Sequence, residues 1–457
     1  NYRNIFSLLC LGYSLLFIYA PLHSTVTNYL FQNGGATYFV VILLFIFWLI
    51  ISYVILNFSN IRNIFYRIFF IFCSINIIIS IYYIVFFLNS VNNEKYVLEK
   101  DSDKLLNILN LKSLTNKSTN KLPKNIYYVI LDGMLSLELA KKYNIIDDYS
   151  IKSKFDKLGL NYIEKSISSY NTTYLTLASI MELNYPITEN SNVYSNRGSF
   201  FPMMMYQNKK QVMLPQIVKA NGGNFFWIGN SWGPCMEWLV QPWICTQSKI
   251  YRNLMRLGST IFFNTPLKAL IIDWLPANQM REGGQRNLKY YLKNFKKINN
   301  NTDTFSFTFI HQMSPHDPYS VSKNCDPKKF INLFQGYKAS YSCVLKEILF
   351  FMNYISNFDP DSIVVFQGDH GADTRIIKDL NNLKEKLFFR SSIFNAIKAP
   401  KECFKKFKKP HGTINTVRFV VNCAYELNLP YLDDIHFKGF YENDPLYGSV
   451  VPYEFKN

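Results

Sequence analysis

Glycine and proline are scarce in this chain, at 19 and 18 of its 457 residues. That scarcity excludes a collagen-like repeat, and the sequence also lacks a P-loop, a GxGxxG motif and any internal repeat. Aromatic residues, by contrast, make up 17% of the chain and hydrophobic residues 49%. Because disordered chains are poor in both, this composition excludes intrinsic disorder over the whole length.

Charge is nearly absent from the first 92 residues, which contain no acidic residue and only Arg3, Arg62 and Arg67 as basic ones. Since the whole chain has 49 basic and 32 acidic residues, residues 93–457 carry 46 of the basic and all of the acidic ones, a formal net charge of +14. A basic surface suits anionic partners such as acidic glycans and phospholipid head groups.

Three long apolar segments predict membrane-spanning helices at about residues 5–22, 36–56 and 68–88, because a bilayer core needs about 20 apolar residues. The first segment is also typical of a secretory signal. No cleavage site of small residues follows it, so we expect a retained helix. The chain begins with Asn rather than Met, and this interpretation leaves room for further spans upstream.

The basic residues of the short loops predict the orientation of these helices. Residues 57–67 carry Arg62 and Arg67, whereas residues 23–35 carry neither Lys nor Arg. Because cytoplasmic loops are enriched in basic residues, we expect an inner-membrane protein whose chain after Asn89 lies in the periplasm or extracellular space.

Eight cysteines are distributed in a way that agrees with an external domain. Cys10 and Cys73 lie in apolar segments and are expected to be inert. The even number of the others favours disulfides, although six cysteines allow 15 connectivities. Neighbours in the sequence suggest the pairs Cys235–Cys245, Cys325–Cys343 and Cys403–Cys423. Structural zinc is the alternative, and the absence of a CxxC pair disfavours it.

Residues 93–124 are rich in Asn, Lys, Ser and Asp and predict a juxtamembrane linker. Within it, residues 96–111 have apolar side chains at roughly helical spacing. That piece either lies on the membrane surface or is solvated, and both interpretations stay open. Residues 125–457 have the pattern of a folded domain.

That domain contains short aromatic and β-branched segments that end in polar or glycine residues, with helical stretches between them. The segments are Asn125–Leu131, Asn224–Ile228, Thr304–Ile310 and Ser362–Gln367, and the helical stretches include Lys209–Ala220 and Tyr337–Ser356. Strands that alternate with helices predict an α/β sandwich around a mostly parallel sheet. Ligands of such sheets bind beyond the carboxyl ends of the strands.

Four residues at such positions have the chemistry of a metal-assisted phosphoryl-transfer site. Asp132, Asp369 and His370 directly follow predicted strands or a glycine after one, and Thr173 lies where a polar cluster runs into an apolar helix. Thr172 is the second choice for the nucleophile. A divalent ion held by these oxygen and nitrogen atoms lowers the pKa of the Thr hydroxyl and neutralises charge on the transferring phosphoryl group.

Two of the six histidines, His311 and His316, lie five positions apart in the stretch TFIHQMSPHDPY. Their spacing after a predicted strand is a modest indication of metal binding, phosphate binding or proton transfer.

The stretches NIYYVILDG, TTYLTLAS, HQMSPHDPY and FQGDHG resemble, in this order, motifs of the alkaline phosphatase and sulfatase superfamily. More narrowly, they resemble its membrane-anchored phosphotransferases, the lipid A phosphoethanolamine transferases and lipoteichoic acid synthases. The resemblance covers about residues 124–434 and implies an alkaline phosphatase-like sandwich. It implies one divalent metal on Asp132, Thr173, Asp369 and His370, with Thr173 as the nucleophile. Zinc fits this set, and manganese or magnesium also fits mixed oxygen ligation.

Other residues are assigned by the same resemblance. It implies that His316 contacts the phosphate or a second metal, and that Cys325 and Cys343 form a disulfide. A further His that follows the DHG motif in phosphoethanolamine transferases has no clear counterpart, so Arg390 and His411 are the candidates to replace it. With His311, these residues form the predicted substrate-binding set.

Sulfate ester hydrolysis is not expected, because Thr173 stands where sulfatases have a Cys or Ser that matures to formylglycine. We expect instead a transferase that takes a phosphoethanolamine or phosphoglycerol head group from a phospholipid. A phospho-Thr intermediate would pass the group to a glycan or lipid acceptor of the cell envelope, such as lipopolysaccharide. The alternatives are a membrane-anchored phosphoester hydrolase and a non-catalytic protein of envelope biogenesis. A nucleic-acid partner is not expected for an external domain.

Overall fold

The computed structural model describes residues 36–58, scattered positions up to 71, and residues 125–147, 150–186, 212–229, 243–245, 287–293, 304–328, 330, 332–377, 380, 382–439 and 450–453. The chain divides into two compact units, one of Asn1–Asn93 with Ser248–Met280 and one of Glu94–Gln247 with Arg281–Asn457. The predicted linker at residues 93–124 lies outside the described residues.

The described part of the first unit is mainly one helix, α1, at Ala36–Asn57. It coincides with the second of the three predicted spans, and large apolar side chains such as Ile42, Phe45 and Ile50 are exposed on it. Among the residues described, no helix is both long enough and apolar enough to cross a membrane. The predicted spans at 5–22 and, almost entirely, 68–88 lie outside those residues.

The second unit is built on a seven-stranded sheet with the order β2-β7-β6-β1-β5-β3-β4. Its strands are β1 Ile126–Leu131, β2 Asn161–Tyr162, β3 Asn224–Gly229, β4 Trp243–Cys245, β5 Ser306–Gln312, β6 Ile363–Gly368 and β7 Asn395–Lys398. All four ladders among β6, β1, β5, β3 and β4 are parallel, and the two ladders of β7 are antiparallel. The predicted α/β fold with a mostly parallel sheet is therefore confirmed. A separate two-stranded sheet pairs β8 His436–Gly439 with β9 Val450–Tyr453.

Helices cover both faces of this sheet, which explains why every position of its central strands β1, β5 and β6 is buried. On β1, Tyr127, Val129 and Leu131 belong to one core cluster, whereas Tyr128 and Ile130 belong to another. Successive side chains of a strand point to opposite faces, so each face has its own core. A strand buried on both faces reads as a continuous apolar run, as the sequence predicted.

The helices of this unit begin and end at recognisable signals. They are α2 Leu137–Lys142, α3 Ile151–Lys157, α4 Thr173–Glu182, α5 Met213–Ala220, α6 Asn287–Lys293, α7 Leu333–Phe358, α8 Leu383–Ser391, α9 Lys401–Lys406 and α10 Thr413–Tyr425. The side chains of Asn332 and Asn382 accept hydrogen bonds from backbone N–H groups three residues on, and so cap α7 and α8. Helix α7 stops before Asp359-Pro360, as expected because the residue before a proline avoids helical geometry.

The strands β6, β1 and β5 lie side by side and run in the same direction, so their carboxyl ends meet at one edge. The sequence predicted all three, but it ended β5 at Ile310, whereas the strand continues through Gln312. His311 is therefore a fully buried strand residue rather than the first residue of a loop. The reason is that β1 and β5 stay hydrogen-bonded to this end, where Asp132 N–H donates to the Gln312 carbonyl at 2.9 Å.

Candidate active site

Asp132 follows β1 and lies 1% exposed at the centre of the sheet edge. The next residue, Gly133, has φ +68°, a backbone conformation that side chains rarely permit. The Tyr337 hydroxyl from α7 donates to the Gly133 carbonyl at 2.9 Å and accepts from Leu135 N–H at 3.1 Å. This turn is therefore fixed from the neighbouring helix, and the Asp132 carboxylate is fixed with it.

Asp369 and His370 follow β6, the strand beside β1. Asp369 Oδ1 accepts from the N–H groups of Gly133 and His370, both at 2.9 Å, which leaves Oδ2 3.5 Å from His370 Nε2. His370 Nδ1 lies 2.8 Å from the Gly371 carbonyl, an arrangement in which Nδ1 carries the proton and Nε2 offers its lone pair. A Cβ at Gly371 would lie 2.1 Å from the Phe389 carbonyl oxygen, so only glycine permits this close approach.

Thr173 is the first residue of α4, and its side chain is 8% exposed. Its Oγ1 lies 3.1 Å from His370 Nε2. The preceding Thr172 is the N-cap residue, but its side chain makes no capping hydrogen bond. At a helix N-terminus, unpaired N–H groups and the helix dipole favour negative charge near Thr173.

The four predicted metal ligands are thus brought together around His370 Nε2. Asp132 Oδ1 lies 3.6 Å from that atom, and Thr173 Oγ1 and Asp369 Oδ2 lie at the distances given above. Ligand atoms of Asp132, His316 and His370 also lie within 4.8 Å of one another. His316 therefore lies beside the cluster, although it is not one of the four predicted ligands.

The residues present fit a divalent cation. Asp132 Oδ1 and Asp369 Oδ2 are buried and make no hydrogen bond of normal geometry with the described residues. A buried carboxylate oxygen without a partner is unfavourable, and a cation in contact with it removes that penalty. Mixed carboxylate, hydroxyl and imidazole ligation suits zinc or manganese.

Burial and charge act differently on the two carboxyl groups. Burial disfavours the charged form of Asp132, but the positive charge of His316 and the contacts of His311 and His370 outweigh it and hold the pKa of Asp132 well below its usual range. For Asp369, burial and the nearby charge of Asp132 raise the pKa to about 6. The site thus concentrates negative charge that a cation would neutralise.

The surroundings of His370 and His316 shift the pKa values of the two imidazoles in opposite directions. Burial, with the charge of Arg390, holds the pKa of His370 well below its ordinary value, so His370 is neutral. Burial lowers the pKa of His316, but Asp132 and Asp317 outweigh it and raise the value to about 9. His316 Nδ1 lies 2.8 Å from Asp317 Oδ1, so Nε2 is the nitrogen left for the cluster.

Of the predicted substrate-binding residues, His311 and Arg390 lie at the ligand cluster, whereas His411 does not. His311 Nε2 lies 3.3 Å from Asp132 Oδ2, and Arg390, at the end of α8, lies with Nη2 3.1 Å from His370 Nε2. His411 is exposed, and its Nδ1 contacts the Glu164 carbonyl at 3.0 Å rather than any cluster residue.

Two of the three suggested cysteine pairs are formed. The disulfide Cys325–Cys343 has an S–S distance of 2.09 Å, and Cys403–Cys423 one of 1.99 Å. Cys235 lies outside the described residues, so the pairing of Cys235 with Cys245 stays a prediction.

Three functional contacts were missed by sequence reasoning. The Gly133 N–H group donates to Asp369 Oδ1, and the Asn171 carbonyl accepts from Arg390 Nε. The Asp317 carboxylate contacts His316 Nδ1. Only Asp317 left a signal, because it directly follows His316 in the sequence. Every residue has the same backbone N–H and carbonyl groups, so the sequence cannot indicate which of them contact the site.

The chain matches no family model and no curated protein sequence. Among solved structures, it is similar to the C-terminal periplasmic domain of EcEptC from Escherichia coli, at 13% identity over 74% of this chain and 94% of that one, with a TM-score of 0.44. A complex of that domain with zinc is similar to the same degree.

Two further solved structures are similar as well. One is the integral membrane protein lipooligosaccharide phosphoethanolamine transferase A from Neisseria meningitidis, at 13% identity over 86% of this chain and 75% of that one, with a TM-score of 0.45. The other is the lipoteichoic acid synthase LtaP from Listeria monocytogenes, at 14% identity over 68% and 73%, with a TM-score of 0.40. Phosphoethanolamine transferases and lipoteichoic acid synthases are also the two kinds of protein that the four motifs resemble.

Proposed function

We propose that this chain is a membrane-anchored, metal-dependent phosphotransferase with Thr173 as its nucleophile. The observation that carries the proposal is the convergence of Thr173 Oγ1, Asp132 and Asp369 on His370 Nε2 within 3.6 Å. The residue at the nucleophile position is a Thr, not the Cys or Ser that sulfatases have there. Phosphoryl transfer depends mainly on positioning of the reactants and neutralisation of charge.

Asp132, Asp369, His370 and Thr173 would hold the metal, for which zinc is the first choice. When bound, such an ion supplies a Lewis acid that favours the Thr173 alkoxide and withdraws charge from the phosphoryl oxygens. In this role Asp369 Oδ1 keeps its hydrogen bonds from two backbone N–H groups. Asp369 Oδ2 would then contact the metal without a change in the side-chain conformation.

In the first half-reaction, Thr173 Oγ1 bonds to phosphorus and the phosphorus–oxygen bond to the lipid alcohol breaks. The hydroxyl proton of Thr173 passes to water. We assign the protonation of the departing alcohol to His316, whose Nδ1 is fixed by Asp317 so that its other nitrogen serves the cluster. In the second half-reaction, an acceptor hydroxyl displaces Thr173 in the same way. His311 orients Asp132 through its contact at 3.3 Å.

The donor in this proposal is a phospholipid with a phosphoethanolamine or phosphoglycerol head group, and the acceptor is a glycan or lipid outside the cytoplasm. The apolar segments of residues 1–92 would hold the domain beside its donor. Support for an external domain comes from the disulfides Cys325–Cys343 and Cys403–Cys423, since disulfides persist in oxidising compartments.

The test compares Thr173→Ala with Thr172→Ala in the full-length protein incubated with phospholipid vesicles. Peptide mass spectrometry should find a phosphorylated or head-group-modified Thr173 in the wild type and in Thr172→Ala. The Thr173→Ala variant should show no adduct and no transfer. Transfer by Thr173→Ala at the wild-type rate would reject the proposal. Turnover that ignores added acceptor would instead indicate a hydrolase on the same site.

A further inference from the structure

An exposed basic segment lies apart from the groups that the proposed chemistry uses. Residues 405–409 contain four lysines and no acidic residue. With Lys165 they form what we call the basic surface, whose members are all exposed: Lys165, Lys405, Lys406, Lys408 and Lys409. The nearby carboxylate of Glu164 is paired with Lys152. That pair, followed by the charges of Lys165 and Lys409, holds the pKa of Glu164 below its usual range, so both lysines lie near this carboxylate.

The other side of α9 is fixed to the domain. Cys403 is bonded to Cys423 of α10, and the rings of Phe404 and Phe407 lie 5.0 and 6.3 Å from the ring of Phe419. The lysines of residues 405–409 therefore project into solvent from a backbone that is already ordered. A binding partner does not have to order this segment, which lowers the entropic cost of the contact.

The basic surface reaches the edge of the sheet that holds the candidate site. Ile167, a few residues before Thr173, forms one β-bridge with Gly412 and another with Ser392. Its N–H group donates to the His411 carbonyl at 2.9 Å. Residues 408–409 come directly before this pairing, so they lie beside the segment that leads to the proposed nucleophile.

Large apolar side chains are exposed at the same edge. Phe388 of α8 is 45% exposed, and its carbonyl accepts from the N–H group of Ser392, the residue bridged to Ile167. Leu383, on the same helix, is 60% exposed. Lysines beside exposed apolar side chains are typical of surfaces that lie in the head-group region of a bilayer. An acidic glycan offers the charge but no apolar layer to receive Phe388.

We propose that the basic surface and Phe388 bind the face of a bilayer that contains anionic phospholipids. Each lysine near an anionic membrane surface favours the contact by about fivefold. The contact would bring the carboxyl edge of the sheet to the lipid head groups. It concerns a binding surface and is separate from the chemistry of Thr173.

The experiment uses the full-length protein in nanodiscs of phosphatidylcholine alone, or of equal parts of phosphatidylcholine and phosphatidylglycerol. A water-soluble acylating reagent modifies the exposed lysines, and peptide mass spectrometry gives the rate at each position. Lys219 is the internal reference, because it is exposed at the end of α5, just before β3 begins at the opposite edge of the sheet.

We expect the lysines of the basic surface to react at least about fivefold more slowly in the anionic nanodiscs than in phosphatidylcholine. About 1 M salt should remove the difference, because it shortens the Debye length to about 3 Å. Lys219 should react at the same rate in both nanodiscs. Phe388→Ser should reduce the protection, because it removes the apolar contact.

A variant with Gln at all four lysine positions of residues 405–409 tests the surface as a unit. In that variant Lys165 should lose its protection. The matched control is the double variant Lys157→Gln, Lys219→Gln, whose exposed positions each lie just before a strand begins, and there Lys165 should stay protected.

Equal acylation of the basic surface of the wild type in both nanodiscs would overturn the proposal. Protection that appears only when polygalacturonate is added would also overturn it, and would assign the surface to an acidic glycan. Should the four-lysine variant fail to fold, the wild-type comparison still decides. Failure of the proposed function looks different, because absence of a Thr173 adduct would leave the acylation rates unchanged.

Discussion

Thr173 Oγ1 lies 3.1 Å from His370 Nε2, although 197 positions separate the two residues in the sequence. One belongs to the first turn of α4 and the other to the loop after β6. Their contact joins the proposed nucleophile to a proposed metal ligand. A change on either side of this contact should therefore have a separate, measurable effect.

Asp369→Asn should remove a metal ligand without disturbing the turn. The amide oxygen can still accept from the N–H groups of Gly133 and His370, whereas an amide nitrogen replaces the free Oδ2. We expect metal affinity to fall by at least about 10–100-fold, measured by elemental analysis after dialysis. Asp373→Asn is the control, since Asp373 pairs with Arg375 instead. Full metal retention in Asp369→Asn would contradict the ligand assignment.

Gly371→Ala should distort the loop that carries His370. The new Cβ would lie 2.1 Å from the Phe389 carbonyl oxygen, a backbone atom that cannot move aside alone. We expect a loss of about 1–3 kcal/mol in the free energy of unfolding, together with loss of transfer activity.

Gly159→Ala is the matched control for that variant. Gly159 has φ +69°, but nothing lies within 4 Å of a Cβ added there. It should lose about 1 kcal/mol of stability for its backbone conformation and keep its activity. Equal activity of the two variants would show that the close approach at Gly371 does not matter to the site.

Removal of the Cys403–Cys423 disulfide should destabilise the domain. The two residues are 20 positions apart. Closing a loop of that size lowers the entropy of the unfolded chain and so raises the free energy of unfolding by about 3 kcal/mol. The Cys403→Ala, Cys423→Ala double variant should therefore unfold at lower denaturant concentration than the wild type, as followed by circular dichroism. Non-reducing peptide mapping that finds Cys403 bonded to another cysteine would refute the pairing.

His436 should make stability depend on pH below neutrality. Burial lowers the pKa of His436 from 6.5 to about 4, and its Nδ1 lies 2.8 Å from the Ser168 carbonyl. As pH falls below 6.5, the unfolded chain takes up the proton while the folded chain does not. Stability is therefore lost between pH 6.5 and about 4, by about 3 kcal/mol in total.

Unfolding measured at several pH values checks this effect. His436→Asn, whose amide can still donate to Ser168, should show a flatter pH dependence in that window. His411→Asn should keep the wild-type profile, because the His411 ring is exposed. An unchanged slope in His436→Asn would assign the acid sensitivity to other groups.

The sequence predicted the central strands well because they are buried on both faces. Ile126–Leu131 and Ile363–Gly368 are apolar at almost every position, and the polar residue that follows each one marks the end of the strand. The predicted ligands Asp132, Asp369 and His370 were found for the same reason. The short edge strands, such as Asn161–Tyr162, were not predicted, because two residues give no periodicity.

By itself, then, the sequence determined the α/β class, the direction of the central strands and the residue types at their carboxyl ends. Only the tertiary structure decided that Arg390 reaches this site and His411 does not. Both residues follow the DHG motif, and their distance from it in the sequence does not indicate which one lies at the site. It also decided the role of backbone groups such as Gly133 N–H, which holds Asp369. The physical reason is that a hydrophobic pattern specifies which face is buried, whereas distances between loops depend on how the buried strands pack side by side.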